Sequence, residues 1–220
     1  MEASGEGQFF LVKGEGTRVL ILGGGRAALI KASSLIKRKF TVHCIADRYG
    51  DEIKKLAINS DGRLILKTES FNDEVIDNYH IVVIATDSAE FNNHVQQVCT
   101  LKNKLFIETT MPEVSQGIMC TTAETESVVY GLMTKGKNPM ASVYLSNKAK
   151  KALETMDPFI KFITEIRNYI ADKELRKRVS TFICSDDYRY FYQKGKGVEI
   201  LIMFYPQLKD YLLKEGSWLP

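Results

Sequence analysis

Three consecutive glycines, Gly23, Gly24 and Gly25, are the residues of this chain whose type and spacing imply chemistry most directly. They follow four apolar residues, Val19–Leu22, and precede a segment of helical character that begins near Arg26. Gly23, Gly25 and Ala28 satisfy G-x-G-x-x-A, the dinucleotide fingerprint, in its strand–turn–helix setting. Gly23 lets the chain turn sharply off the strand, and Gly25 lets the backbone approach a diphosphate with no Cβ in the way. Ala28 lets the helix lie close on a sheet. The helix start, at Arg26 and Ala27, offers free N–H groups and a partial positive charge to phosphate. A glycine-rich turn without a ligand is the plain alternative, and the flanking strand and helix argue against it.

Other candidates fall where the same architecture would put them. Asp47 stands 22 residues after Gly25, just past Ile45 and Ala46 at the end of a second apolar run. Folds of this kind place an acid there, on the adenosine ribose hydroxyls. Arg48 beside it would instead meet a 2′-phosphate, so NADP stays open while Asp47 tips the reading to NAD. Thr86-Asp87-Ser88 follows the most apolar run, His80–Ala85. Asp87 is a candidate carboxylate by position, although capping of the next helix explains it more simply. His43, His80 and His94 have no metal-ligand spacing among themselves or with Cys, so each reads as a structural or surface residue and no metal site is expected.

The elements that would position these groups alternate. Strands are expected near Val19–Leu22, Phe40–Ala46, Leu64–Lys67, His80–Ala85 and Lys104–Ile107. Helices are expected over Arg26–Arg38, Asp51–Ile58, Phe71–Asp77 and Ala89–Leu101. Such alternation predicts a parallel sheet with right-handed crossovers and a ligand beyond the carboxyl ends of its strands. Phe9–Val12 reads as an edge strand or a cover segment. After Pro112 the character changes. Gly117–Thr122 and Val128–Thr134 read as a hairpin, and Met140–Lys177 as charged helix broken at Asp157-Pro158. Val198–Phe204 is another largely apolar stretch, whose state stays open. A hairpin that cannot bury both faces alone implies pairing with a second chain.

Composition excludes several classes. The 220 residues are 45% hydrophobic and 26% charged, with a net charge of +3. That is ordinary for a soluble globular protein, and no basic tract or aromatic motif implies nucleic acid. No run is long enough to cross a bilayer, and the N-terminus has no signal-peptide core. Cys44, Cys99, Cys120 and Cys184 are widely spaced; Cys44 and Cys99 lie inside apolar stretches and read as buried free thiols, which fits a reducing, cytoplasmic setting.

The order of these pieces resembles a known family. Phe-Phe-Leu-Val, then a strand into Gly-Gly-Gly-x-x-Ala-x-x-Lys-Ala, is similar to the opening of the precorrin-2 dehydrogenase / siroheme synthase family. Phe71-Asn72-Asp73, Ala85-Thr86-Asp87 and a hairpin ending Lys-Gly-Lys-Asn-Pro continue the likeness, which covers roughly residues 8–155. The resemblance implies an α/β chain: a Rossmann-type parallel sheet (1–112), a strand-hairpin dimerisation segment (113–147) and a mainly helical C-terminal domain (148–220). It implies a homodimer that oxidises precorrin-2 to sirohydrochlorin with NAD, and in some members inserts Fe²⁺. Cofactor contacts are implied at Gly23, Gly24, Gly25, Arg26, Ala27, Ile45, Ala46, Asp47 and Thr86.

The family's key aspartate lies in an Asn-x-x-Asp-x-Pro loop, and counting back from Pro112 puts Thr110 in its place. A threonine hydroxyl cannot act as a base near neutral pH. Glu108, two residues earlier, would face the same way on an extended chain and bring a carboxylate to that space. Its plain alternative is a solvated loop acid. The family's serine near the end of the hairpin aligns with Thr134. A polycarboxylate substrate fits Lys135, Lys137, Lys148, Lys150 and Lys151, each otherwise an ordinary solvated lysine. A nucleotide-binding relative that has lost the reaction is the alternative that Thr110 leaves open.

Overall fold

The computed structural model describes residues 7–136 and 138–214. Lys137 and the single tryptophan, Trp218, lie outside them. The chain divides into two compact units, the first running to Met119 and the second from Cys120 onward.

The first unit is built on a five-stranded parallel sheet: β1 (Arg18–Leu22), β2 (Thr41–Ile45), β3 (Leu64–Lys67), β4 (Ile81–Ile84) and β5 (Leu105–Glu108). The strand order is β3-β2-β1-β4-β5. The chain therefore leaves β1 toward one edge, returns, and continues toward the other, so the order reverses beside β1. A crevice opens at the carboxyl ends of the strands at such a point.

Alternation along the strands decides which helix covers which face. Val19, Ile21, Val42, Cys44, Leu64, Val83 and Ile107 pack with Ala28, Ala32 and Leu35 of α1 (Arg26–Ile36) and Ile53 of α2 (Asp51–Ile58). Leu20, Leu22, Ile45, Val82, Ile84 and Phe106 pack with Val95, Val98 and Cys99 of α3 (Ala89–Leu101) and with Ile76 and Tyr79. Burial on both faces explains why the strands read as continuous apolar runs. It also pushes the Cys44 and Cys99 thiols up to about 12, which leaves both as inert core residues.

Phe9–Val12 departs from expectation. It is exposed and forms no strand among the described residues. An apolar run of this length is only marginal evidence for a strand, because a strand also needs a free sheet edge in register.

The second unit opens with a hairpin of β6 (Thr121–Glu124) and β7 (Val129–Leu132), paired antiparallel from Thr121↔Leu132. The first strand lies nearer the turn than the apolar pattern implies. Gly117 instead sits against Leu105 and Ile107 at the edge of the first unit's sheet. Six helices follow: α4 (Pro139–Glu154), α5 (Asp157–Tyr169), α6 (Lys173–Ile183), α7 (Asp186–Gln193), α8 (Gly197–Phe204) and α9 (Lys209–Lys214). Asn138, Asp172 and Ser185 cap α4, α6 and α7 through side-chain oxygens. The expected break at Asp157-Pro158 is present, and a second break precedes Asp172. Val198–Phe204 is helical. Its apolar run, interrupted only by Glu199, is too short to show a period, and Leu201 buried among Phe159, Phe162, Ile166 and Tyr188 decides the state. No described helix is long and apolar enough to cross a membrane.

Asp157 fastens the hairpin to this helical core. Its carboxylate accepts from the Thr125 hydroxyl (2.7 Å) and from the backbone N–H groups of Ser127 (3.1 Å) and Glu126 (3.2 Å). The Thr125 hydroxyl, followed by those N–H groups, holds the carboxyl below the usual carboxylate range. The charged form is therefore favoured by folding. Its stabilisation is present above the ordinary aspartate value of about 4 and is lost as pH falls through the lowered native one. Asp157→Asn is expected to melt below wild type at pH 6, with the gap closing as pH drops below about 4. Thermal melts followed by circular dichroism between pH 3 and 6 check this. A gap independent of pH would assign the loss to shape rather than charge.

Candidate functional site

A cleft of about 730 Å³ opens at the carboxyl ends of β1, β2 and β4, where the strand order reverses. Gly23, Gly24 and Gly25 form its floor. Gly23 has φ +122°, and a Cβ there would fall 2.2 Å from the Ala85 carbonyl oxygen. A Cβ on Gly24 would fall 2.1 Å from the Arg48 carbonyl oxygen. A Cβ on Gly25 would meet nothing within 4 Å. The first two glycines thus serve the fold, and the third keeps a space open. Gly25 is also the N-cap of α1, where no side chain caps the helix and the first turn carries no acid. The free N–H groups and the dipole are left for an anion.

Tyr49 holds the β2 side of this floor. Its hydroxyl donates to the Cys44 and Lys67 carbonyls (both 2.7 Å) and accepts from the Lys67 N–H (3.1 Å). The ends of β2 and β3 are thereby tied together, and the Gly50 N–H reaches back to the Gly24 carbonyl. Ile45, Ala46, Asp47 and Arg48 line the cleft on this side, with Glu69 and Phe71 beyond them. Thr86, Asp87 and Ser88 beyond β4, and Phe91 of α3, complete the lining. Arg26 and Ala27 begin α1 and are exposed rather than part of the wall.

Three lining residues escaped the sequence reading of the site. Phe71 and Phe91 meet edge-to-face at 5.3 Å, although 20 residues separate them. Phe71 belongs to a recognised motif, but nothing in its type marks it as a wall residue. Glu69 follows β3 and is ion-paired with Lys67 at 3.4 Å. Capping of α3 falls to Ser88, whose hydroxyl accepts from the Phe91 N–H (3.4 Å). Asp87 is thus released from that role and stays exposed on the cleft wall.

Asp87 also lines a second cavity, of about 280 Å³, with Asn92, Asn93, Gln96, Glu108 and Thr110. Glu108 is no solvated loop acid. It ends β5 and is 2% exposed. Its Oε1 accepts from the Thr110 hydroxyl (2.6 Å), the Thr110 N–H (3.0 Å) and Asn92 Nδ2 (3.4 Å). Asn92 Nδ2 also donates to the Thr86 carbonyl (3.0 Å), and the Thr86 hydroxyl donates to Asn92 Oδ1. A continuous chain of hydrogen bonds thus runs from the larger cleft to Thr110. Glu108 and Thr110 do share one space, but not on an extended chain: β5 ends at Glu108, and a bend at Thr109 and Thr110 turns the Thr110 N–H and hydroxyl back onto the carboxylate.

A family model described as putative NAD(P)-binding matches residues 10–120, just over half of the chain. The chain belongs to that NAD(P)-binding family. It is also similar to siroheme synthase from Ruthia magnifica, at 27% identity over 175 residues, which cover 80% of this chain but only 35% of that protein. A putative precorrin-2 dehydrogenase from Methanocaldococcus jannaschii is 24% identical over 168 residues, 74% of this chain and 80% of that one. Among solved structures, SirC, precorrin-2 dehydrogenase, has the same fold with a TM-score of 0.62 at 17% identity, covering 83% of this chain and 91% of its own. The chain spans about a quarter to a third of the length of the siroheme synthases it matches.

Among the described residues of this NAD(P)-binding protein, no group of three His, Cys, Asp or Glu is placed to hold a metal ion. The histidines have local partners: His43 with the Tyr79 hydroxyl (2.7 Å), His80 with the Arg18 N–H (3.1 Å) and His94 with Asp73 (2.8 Å). Thr134 lies in the second unit. Its hydroxyl is 3.2 Å from both the Asn138 carbonyl and Ser142 Oγ, in the turn that leads into α4. Of the expected cations, Lys148 lies over the Tyr144 ring and Lys150 pairs with Glu154 at 3.9 Å, while Lys135 and Lys151 are exposed.

Proposed function

We propose that the protein is an NAD-dependent dehydrogenase that oxidises precorrin-2 to sirohydrochlorin. The observation that carries this reading is the pair of carboxylates, Asp87 and Glu108, beyond β4 and β5 at one side of a cleft floored by an uncapped helix start. The open space above Gly25 fits a diphosphate, and Asp47 beyond β2 fits the ribose hydroxyls of NAD. Bound there, the nicotinamide supplies the oxidising step by accepting a hydride.

The chain's own groups do the rest. An Asp87 carboxylate oxygen, exposed and with no hydrogen-bond partner among the described residues, takes the proton that leaves with the oxidation. Glu108 supplies the buried negative charge at the same end, and Thr110 holds it through its N–H and hydroxyl. Thr134, in the second unit, is proposed as the counterpart of the family's serine. The excess of Lys and Arg over acid lies in residues 120–220, which suits a polycarboxylate substrate.

Purified protein with precorrin-2 and NAD⁺ is expected to yield the absorbance of sirohydrochlorin together with NADH. A folded protein that binds NAD⁺ without turnover would instead support the non-catalytic alternative, with Thr110 as its cause. Preformed sirohydrochlorin with Fe²⁺ as substrate tests iron insertion separately. Sirohaem formation would add that activity, and its absence would confine the protein to the oxidation. The exposed apolar residues Val129 and Met133 of the hairpin and Met140, Val143, Tyr144 and Leu145 of α4 are proposed as the homodimer contact. Light scattering is expected to give twice the chain mass for the wild type and the single-chain mass for Met140→Asp/Tyr144→Asp.

A further inference from the structure

We propose that the smaller cavity receives the carboxamide of the nicotinamide ring, with Oε2 of Glu108 as its hydrogen-bond acceptor. This rests on the reading of the larger cleft as a nicotinamide-nucleotide site. Sheet order sets the direction. The glycine turn lies at the end of β1, and Asp47, Glu69 and Phe71 follow β2 and β3 on one side of it. A dinucleotide with its adenosine on that side extends its other end over β4 and β5. The smaller cavity lies there and shares Asp87 with the cleft.

The lining has the chemistry of an amide site. Oε1 of Glu108 already accepts three hydrogen bonds, whereas Oε2 has only Gln96 Nε2, at 3.5 Å. No Lys, Arg or His among the described residues is paired with this carboxylate, which is 2% exposed. A buried carboxylate without a counter-charge is costly unless donors or a cation complete it. A primary carboxamide on a cationic ring brings both. Its N–H₂ group would donate to Oε2, and its carbonyl would accept from the side-chain amide of Gln96 or Asn93. A carboxylate in the same place would set two negative charges side by side in a buried site.

The test is equilibrium binding to the intact chain by calorimetry, with NAD⁺, nicotinic acid adenine dinucleotide and ADP-ribose. Wild type is expected to bind NAD⁺ at least about 30-fold more tightly than the acid analogue, because a buried charge clash of that kind outweighs a single neutral hydrogen bond. In Glu108→Gln the ratio is expected to fall below about threefold, with ADP-ribose affinity unchanged. Should Glu108→Gln fail to fold, Gln96→Leu at a half-buried position is expected to weaken NAD⁺ about fivefold and leave ADP-ribose untouched. Equal binding of acid and amide dinucleotides by wild type, or an unchanged ratio in Glu108→Gln, would overturn the assignment. Binding of neither NAD⁺ nor ADP-ribose would be a different failure, that of the cleft reading itself.

Discussion

Gly25→Val is expected to fold normally and to lose its nicotinamide nucleotide. The three glycines are adjacent in sequence and opposite in consequence. A Cβ at Gly23 or Gly24 would press into backbone carbonyls at 2.2 Å and 2.1 Å, so Gly23→Ala and Gly24→Ala must displace the β4 or β2 end of the sheet. At Gly23 the backbone adds strain of its own, because φ +122° is a conformation that L side chains rarely adopt. At Gly25 the added side chain meets no protein atom within 4 Å and fills the space above the free N–H groups of α1. Affinity for NAD⁺ and ADP-ribose should fall by about 100-fold or more in Gly25→Val, with the thermal midpoint within a few degrees of wild type. Calorimetry and thermal melts on the three variants measure both quantities. Retained affinity in a folded Gly25→Val protein would remove the diphosphate from this turn.

Asp87→Asn is expected to bind NAD⁺ as wild type does and to turn over precorrin-2 at least about 100-fold more slowly, the usual scale for loss of a positioned proton acceptor. The neutral amide keeps the size and exposure of the side chain and removes its basicity. Ser88, not Asp87, accepts the Phe91 N–H, so the cap of α3 is untouched and a structural loss should not mimic the catalytic one. Single-turnover absorbance of sirohydrochlorin, with NAD⁺ affinity measured in parallel, separates the two quantities. Normal turnover would transfer the proton acceptor to another group.

Much of the first unit was legible before any coordinates. Parallel strands buried on both faces leave long apolar runs, and β1, β3 and β4 fall within a residue of where those runs lie. The glycine turn, Asp47 and Thr86 were legible for a related reason. Chemistry at the end of a strand depends on local backbone geometry, and local geometry restricts residue type. Outside that pattern the signal faded. Phe9–Val12 has the composition of a strand without the partner that makes one. Val198–Phe204 has no period, so only burial of Leu201 could settle it.

What the sequence by itself determined is the order of the alternating elements, the glycine turn between β1 and α1, and the family. All three follow from constraints between residues close along the chain. Only the tertiary structure decided which acids and walls belong to the site. Glu108 reads as a loop acid until Asn92 and Gln96, 16 and 12 residues away, are folded against it. The cap reads as shared among Thr86, Asp87 and Ser88 until the structure gives it to Ser88 alone. Phe71 and Phe91 become one wall only when α3 packs beside the segment Asp73–Asn78 that follows Phe71. Side chains distant in sequence meet because a hydrophobic core sets the distances between elements, and no local pattern records that packing.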